Sequence, residues 1–217
     1  KKTKIVFIAN PNNPTGLYLD KLSLDQFIKK IPKKIIIVLD AAYAEYLSEN
    51  DYESGMSYIK KYDNIIVTRT FSKIYGLASL RLGWCYTNQG IISLLDKIRG
   101  PFNVNRIAQE AGAVAVLEKN VEKKLISHNK IWLKKVKDEL SKLPLVVYDS
   151  QANFIFIKCK KGIKEKDRLN KYLLSKSIII RTLDNYNMPE CIRVTIGTEK
   201  ENKILIGAFK SFFKNDK

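Results

Sequence analysis

Apolar residues along this chain fall into two kinds of pattern. Residues 4–9, 35–39 and 64–68 are short apolar runs with little polar alternation. Such runs are expected of parallel strands buried on both faces. Residues 82–87 form a further strand candidate. Between the first two runs, residues 10–16 are dense in Asn, Pro and Gly and predict a turn. Ser23 followed by Gln26 has the capping-box spacing and predicts a short helix that ends near Pro32. Residues 89–98 and 105–118 predict two helices divided by Gly100-Pro101. Residues 121–143 predict one long amphipathic helix with Leu125, Ile131, Trp132, Val136 and Leu140 on its apolar side.

Past that helix the pattern changes. Short strands at 145–148, 153–158, 178–181 and 192–196 alternate with helices near 165–175 and 199–213. The alternation of strand and helix in the first part argues for an α/β domain with a mostly parallel sheet. The second part predicts a smaller α+β domain. The expected division is 1–119 and 120–217, with the long helix as hinge. The first domain opens directly on a buried strand and has few strands to follow. Its sheet is therefore incomplete, with edges and faces that a partner or a preceding N-terminal part must cover.

Composition narrows the class. Hydrophobic residues make up 45% and charged residues 28% of 217, ordinary for a soluble globular protein and unlike a disordered, collagen-like or disulfide-rich chain. A chain this long can bury about 70% of its unfolded surface without staples. The apolar runs are too short to cross a bilayer. Lys1-Lys2-Thr3-Lys4 leads into a strand-like run and not a signal peptide, so no membrane association is expected. Cys85, Cys159 and Cys191 form no CxxC pair, and His128 is the sole histidine, so no metal site is expected. The thiols read as reduced, as in a cytoplasm. The 39 basic and 22 acidic residues leave a formal charge of +17, which attracts polyanions. The lysines are scattered, however, and no zinc finger, RNP motif or basic region with heptads occurs. The surface reads as lysine-coated, without specific nucleic-acid recognition.

Three stretches carry candidate chemistry, each just after an apolar strand: Asn10-Pro11-Asn12-Asn13-Pro14-Thr15-Gly16, Asp40-Ala41-Ala42-Tyr43, and residues 70–83 with Thr70, Ser72, Lys73 and Arg81. Ligands of open α/β sheets bind at the carboxyl ends of strands, so the three loops are expected to converge. Taken alone, Asp40 reads as a helix cap, Lys73 and Arg81 as surface cations, and the Asn-Pro stretch as a turn. Taken together, they suit pyridoxal phosphate. Its aldehyde needs a lysine (Lys73), and its ring nitrogen needs a carboxylate (Asp40). Its phosphate needs a cation and hydroxyls (Arg81, Ser72, Thr70), and its ring oxygen needs donors (Tyr43, Asn13).

These motifs resemble those of fold-type I aminotransferases, and more closely the histidinol-phosphate aminotransferase family. The residues that carry the resemblance are the Asn-Pro-Asn-Asn-Pro-Thr-Gly stretch, Asp40-x-x-Tyr43, Ala44-Glu45-Tyr46, Thr68-Arg69-Thr70-Phe71-Ser72-Lys73, residues 100–105 and Arg193-Val194-Thr195-Ile196-Gly197-Thr198, in that order. Ser79 departs from the pattern, standing where the family has a glycine. The resemblance runs from the first residues to the last helix and corresponds to the C-terminal part of such an enzyme.

The resemblance implies roles. Lys73 would form the imine with the cofactor aldehyde, and Asp40 would pair with the pyridinium nitrogen. Tyr43 and Asn13 would bind the ring oxygen, and Thr70, Ser72 and Arg81 the phosphate. Arg193 would grip a substrate carboxylate, and Arg181 the phosphate of histidinol phosphate. The implied reaction interconverts histidinol phosphate and 2-oxoglutarate with imidazole-acetol phosphate and glutamate, in a homodimer. An aromatic aminotransferase or a threonine-phosphate decarboxylase would share the cofactor residues and differ at Arg181. A truncated, non-catalytic chain that binds a partner through its uncovered sheet edge is the expectation of another class.

Overall fold

A computed structural model describes residues 2–47 and 49–215. The chain forms two compact units, one of residues 1–12 and 18–126, the other of residues 13–17 and 127–217.

The first unit is built on a four-stranded sheet in the order β1 (Ile5–Ala9), β2 (Ile36–Asp40), β3 (Ile65–Thr70), β4 (Gly83–Tyr86). The first three strands are parallel and β4 runs antiparallel to β3. This is the mostly parallel sheet expected. Ile37, Leu39, Ile65 and Val67 bury one face against Leu24 and Ile28 of α1 (Lys21–Lys30) and against Tyr58 and Ile59. Each such side chain contributes about 1.5–3 kcal/mol of burial. The opposite face is not closed over β1, where Ile5 is 50% and Phe7 73% exposed. The expectation of a strand buried on both faces therefore fails for β1. It has a neighbour on one side only, and its outer side chains find no cover among the described residues.

Helix α1 begins earlier than the capping-box pattern predicts. Asp20, not Ser23, is its N-cap. The Asp20 carboxylate accepts from the Ser23 backbone N–H and from the Ser23 hydroxyl, both at 2.8 Å. A carboxylate offers both bonds at once, and Ser23 then lies inside the first turn. The helix stops where Ile31 turns extended before Pro32. Two further helices follow β4, α2 (Gln89–Ile98) and α3 (Arg106–Leu117), each capped by an Asn side chain. Long helix α4 (Lys119–Leu140) runs from the first unit into the second.

The second unit holds an antiparallel sheet in the order β5 (Leu145–Val147), β6 (Phe154–Cys159), β8 (Cys191–Thr195), β7 (Arg181–Thr182). With its helices this is the expected α+β arrangement. One face, with Ile155, Ile157, Cys159, Ile192 and Val194, packs on Trp132, Val136 and Leu140 of α4. It also packs on Leu169 and Leu173 of α5 (Ile163–Ser175) and on Leu205 and Phe209 of α6 (Glu199–Asn215). The strand expected at 178–181 is corrected: only Arg181 and Thr182 enter the ladder. The Ile178 N–H bonds the Leu173 carbonyl and closes the end of α5, so it is not available to a neighbouring strand. Ile178 and Ile180 pack on the core, while Ile179 is 86% exposed.

The three thiols are free, and burial pushes that of Cys159 up to about 12. Among the described residues no helix is long and apolar enough to cross a membrane. No group of three or more His, Cys, Asp or Glu side chains is placed there to hold a metal ion.

Residues 13–17 join the second unit through a close backbone approach. The Gly16 carbonyl accepts from Gln151 N–H at 2.7 Å. Gly16 has φ +75°, and a Cβ there would lie 2.1 Å from Ser150 Oγ and 3.1 Å from Ser150 Cα. Gly16→Ala is expected to lower stability by about 1–3 kcal/mol. Urea unfolding would show a lower midpoint at unchanged slope; an unchanged midpoint would mean the segment is not seated this way.

Candidate functional site

Parallel pairing decides where the loops leave the first sheet. Ala9 lies level with Asp40, and Asp40 with Thr68. The carboxyl ends of β1, β2 and β3 therefore share one edge, and the loops that carry the sequence motifs begin there.

Asp40 ends β2. Its Oδ1 accepts from the Ala42 N–H at 3.2 Å and from the Thr68 hydroxyl at 3.5 Å. The side chain is exposed, and among the described residues no lysine or arginine pairs with it. It caps no α-helix: the next element is a three-residue 3-10 turn, Ala44–Tyr46, that begins at Tyr43 without a side-chain cap. The helix-cap reading of Asp40 is thereby excluded.

Tyr43 is 4% exposed, and the Lys73 ammonium lies 5.2 Å from its ring centroid. Two residues far apart in sequence are thus in contact, and a cation over a tyrosine face is attracted by the ring quadrupole. Lys73 is half-buried, unlike the surface lysines around it. Its segment is pinned on both sides by the buried side chains of Phe71 and Ile74. The backbone closes a turn, with Gly76 N–H to the Lys73 carbonyl at 2.9 Å and Leu77 N–H to the Phe71 carbonyl at 3.0 Å. Thr70 Oγ1 accepts from the Ser72 N–H at 3.0 Å and folds the chain directly after β3.

Arg81 stands two residues before Gly83, which pairs with Thr70, and the Phe71 N–H bonds the Leu82 carbonyl beside it. Arg81 has φ 57°, in the left-handed region, which costs a non-glycine residue about 1–2 kcal/mol. Its guanidinium donates to the Ala78 carbonyl at 2.6 Å. The first unit thus brings Asp40, Tyr43, Thr70, Ser72, Lys73 and Arg81 to one end of its sheet.

The second unit holds the other candidates. Arg193 on β8 and Arg181 on β7 are directly opposed, so their side chains leave from the same face of the sheet. Like charges in that position repel unless an anion lies between them. The Arg193 guanidinium stacks 4.7 Å from the Phe154 ring centroid and donates from Nη1 to Asn13 Oδ1 at 2.6 Å. Its Nε is buried with no hydrogen-bond partner among the described residues. Asn13 thus meets an arginine of its own unit. The Asn10-Pro11 and Asn13-Pro14 peptides are cis.

Several residues that organise the first unit's loops carry no role in the sequence reading. Asn10 is almost fully buried; its amide donates to the Leu19 carbonyl at 3.2 Å and accepts from the Leu19 N–H at 2.8 Å. The Tyr52 hydroxyl donates to the Asn10 carbonyl at 2.8 Å, and burial raises its pKa, keeping it a neutral donor. Arg69 pairs with Glu45 at 2.7 Å. Asn10 and Arg69 lie inside the quoted motifs, where a signal existed, but Tyr52 stands in none.

Asn10→Asp keeps the acceptor for Leu19 N–H but turns a carboxylate oxygen toward the Leu19 carbonyl. A loss of about 1–3 kcal/mol is expected at neutral pH. The folded-state pKa of the new carboxyl is raised above its unfolded value, so the loss shrinks on acidification toward about pH 4, where the acid form donates. Urea midpoints of variant and wild type at pH 7 and pH 4 test this, and a pH-independent difference would refute the assignment of the two bonds.

Comparison with known proteins bears on the family and the fold. Residues 1–209 match the model of the family described as aminotransferase class I and II. The chain is 43% identical over 213 residues to the histidinol-phosphate aminotransferase of Maricaulis maris, covering 98% of this chain and 59% of that protein. It therefore spans less than two thirds of that relative's length. Among solved structures, it superposes with TM-score 0.90 and 28% identity on histidinol-phosphate aminotransferase from Sinorhizobium meliloti in complex with pyridoxal-5'-phosphate, covering 98% of this chain and 58% of that one. L-threonine-O-3-phosphate decarboxylase from Porphyromonas gingivalis shares the fold, with TM-score 0.84 and 23% identity over 97% of this chain and 65% of that one. A parallel sheet with its motif loops on one edge, matched by the family model over nearly the whole sequence, establishes that the chain belongs to the aminotransferase class I and II family.

Proposed function

We propose that this chain provides the pyridoxal-phosphate and substrate residues of an aminotransferase acting on histidinol phosphate and 2-oxoglutarate. The products would be imidazole-acetol phosphate and glutamate. The observation that carries the reading is the Lys73 ammonium over the Tyr43 ring, at the sheet edge where Asp40 presents a carboxylate with no cationic partner among the described residues. The residues present fit the cofactor. An unpaired carboxylate suits a protonated ring nitrogen. Thr70, Ser72 and Arg81, all at the β3–β4 end of the sheet, suit a phosphate.

Pyridoxal phosphate, when bound, supplies an aldehyde for an amine and a ring that accepts the electron pair released at the substrate carbon. The chain supplies the rest. Lys73 Nζ would hold the aldehyde and, as a free amine, would take and return a proton. Asp40 would pair with the ring nitrogen. Tyr43 and Asn13 would donate to the ring oxygen. Arg193 takes the carboxylate of glutamate or 2-oxoglutarate, for which its buried, unpartnered Nε is a ready donor. Arg181, beside it on the same face, takes the phosphate of histidinol phosphate.

A cytoplasmic homodimer belongs to the same proposal. It is supported by the free thiols, which suit a reducing compartment. It is supported also by the large apolar side chains of Ile98, Phe102 and Leu117 that the first unit exposes.

The first test is cofactor capture by the purified chain, with absorbance read on mixing, borohydride reduction and mass-spectrometric mapping. Label on Lys73 is expected, and Asp40→Asn should weaken capture by about tenfold or more. Label scattered over surface lysines would sink the reading and favour a non-catalytic chain.

The second test concerns substrate choice. Arg181→Met should cost histidinol phosphate on the order of 10–100-fold in kcat/KM and phenylalanine little, because one charged hydrogen-bonding partner is lost. Equal losses on both would remove the phosphate assignment.

A further inference from the structure

Glu45 and Arg69 form a charged pair that the proposed chemistry does not use. The Arg69 Nη2 donates to Glu45 Oε1 at 2.7 Å and its Nε to the same oxygen at 3.2 Å. The side chains are only 17% and 6% exposed. Arg69 lies level with Trp84 of β4, and its guanidinium is 5.7 Å from the Trp84 ring centroid. Thr68 and Thr70, its neighbours along β3, point to the other face, where Thr68 meets Asp40. The pair therefore sits on the face of the sheet away from Asp40.

Its place along the chain gives it a use. Tyr43 stands in residues 41–47, whose backbone bonds among the described residues are mostly local. Ala44 N–H bonds Ala41, Tyr46 N–H bonds Tyr43, and Leu47 N–H bonds Ala44. Besides the burial of Ala41 and Ala44 with Ile65 and Val67, two polar ties among the described residues connect this segment to β3. One is the Ala41 N–H to the Thr68 carbonyl at 3.0 Å. The other is Glu45 to Arg69. They bracket Tyr43 on both sides and end on adjacent residues of the strand that leads into Lys73.

We propose that the Glu45–Arg69 pair is a positioning clamp, which holds Tyr43 against the Lys73 ammonium and thereby sets where the amine stands when it meets an aldehyde. Both residues act through the backbone of segment 41–47 and of β3. The inference rests on the reading of Lys73 given above for its consequence, but the clamp itself is a statement about this chain. Losing one charge of a nearly buried pair leaves the other uncompensated, so the segment should loosen locally.

The test uses Glu45→Gln and Arg69→Lys in the full chain. Arg69→Lys is the conservative variant, keeping the charge while losing the two-pronged bond. Thr87→Val serves as control: it removes a buried hydroxyl bond to Ile65, at the opposite end of β3. Hydrogen exchange of segment 41–47 is read without cofactor. The rate of pyridoxal phosphate capture at Lys73 is read after borohydride reduction.

Glu45→Gln should speed exchange in 41–47 by about tenfold or more and slow capture by a comparable factor. Arg69→Lys should fall between it and wild type, and Thr87→Val should move neither readout. Unchanged exchange in 41–47, or the same changes in Thr87→Val, would overturn the clamp. If Glu45→Gln does not fold, Arg69→Lys against Thr87→Val decides the matter on the same readouts. A wild-type chain that captures no pyridoxal phosphate would overturn the cofactor reading instead, and exchange alone would then decide the clamp.

Discussion

The parallel ladder of β1, β2 and β3 is the constraint on which the first unit depends. Parallel strands all finish at the same edge, so Ala9, Asp40 and Thr68 stand side by side. No side chain has to be recruited for this; the backbone bonds impose it. Residues separated by tens of positions then become neighbours, and Lys73 reaches the ring of Tyr43. Antiparallel β4 returns the chain to the end of β3, with Arg81 just before Gly83, the partner of Thr70. A one-residue slip of β2 would turn Asp40 to the other face.

A second principle governs the antiparallel sheet. Arg181 and Arg193 stand opposite each other, an arrangement that repels in water. Two neighbours of Arg193 suit a cation: the Phe154 ring lies 4.7 Å from it and the Asn13 amide oxygen accepts from it. Among the described residues its buried Nε has no hydrogen-bond partner, and an unpaired buried donor carries a cost.

Around the proposed groups lies a supporting set that holds loops in place. Asn10 bonds the backbone of Leu19 twice, Tyr52 bonds the Asn10 carbonyl, and Glu45 bonds Arg69. Each is largely or partly shielded from water, where a hydrogen bond is strong and its loss expensive. Loops after the strands are thereby fixed by polar side chains, while the sheet beneath them is fixed by Ile37, Leu39, Ile65 and Val67. Precision at the edge and stability in the core are supplied by different chemistry.

Much of this was determined by sequence alone. Uninterrupted apolar runs specified the parallel strands β1, β2 and β3. The order of the Asn-Pro stretch, Asp40, Tyr43, Lys73 and Arg81 pointed to the proposed chemistry, because few reactions need a lysine, a carboxylate and a phosphate cradle together. Helix α2 was legible to its bounds. Other features needed the tertiary structure. The exposure of Phe7 depends on what lies beside β1, which no local pattern records. The short β7 depends on Ile178 spending its N–H on Leu173. The cap of α1 was settled by a carboxylate that satisfies two donors at once. The opposition of Arg181 and Arg193, the burial of the Glu45–Arg69 pair and the contact of Asn13 with Arg193 all join residues from separate elements. Sequence names such groups, but only packing brings them within bonding distance, because distance is a property of the fold and not of the chain.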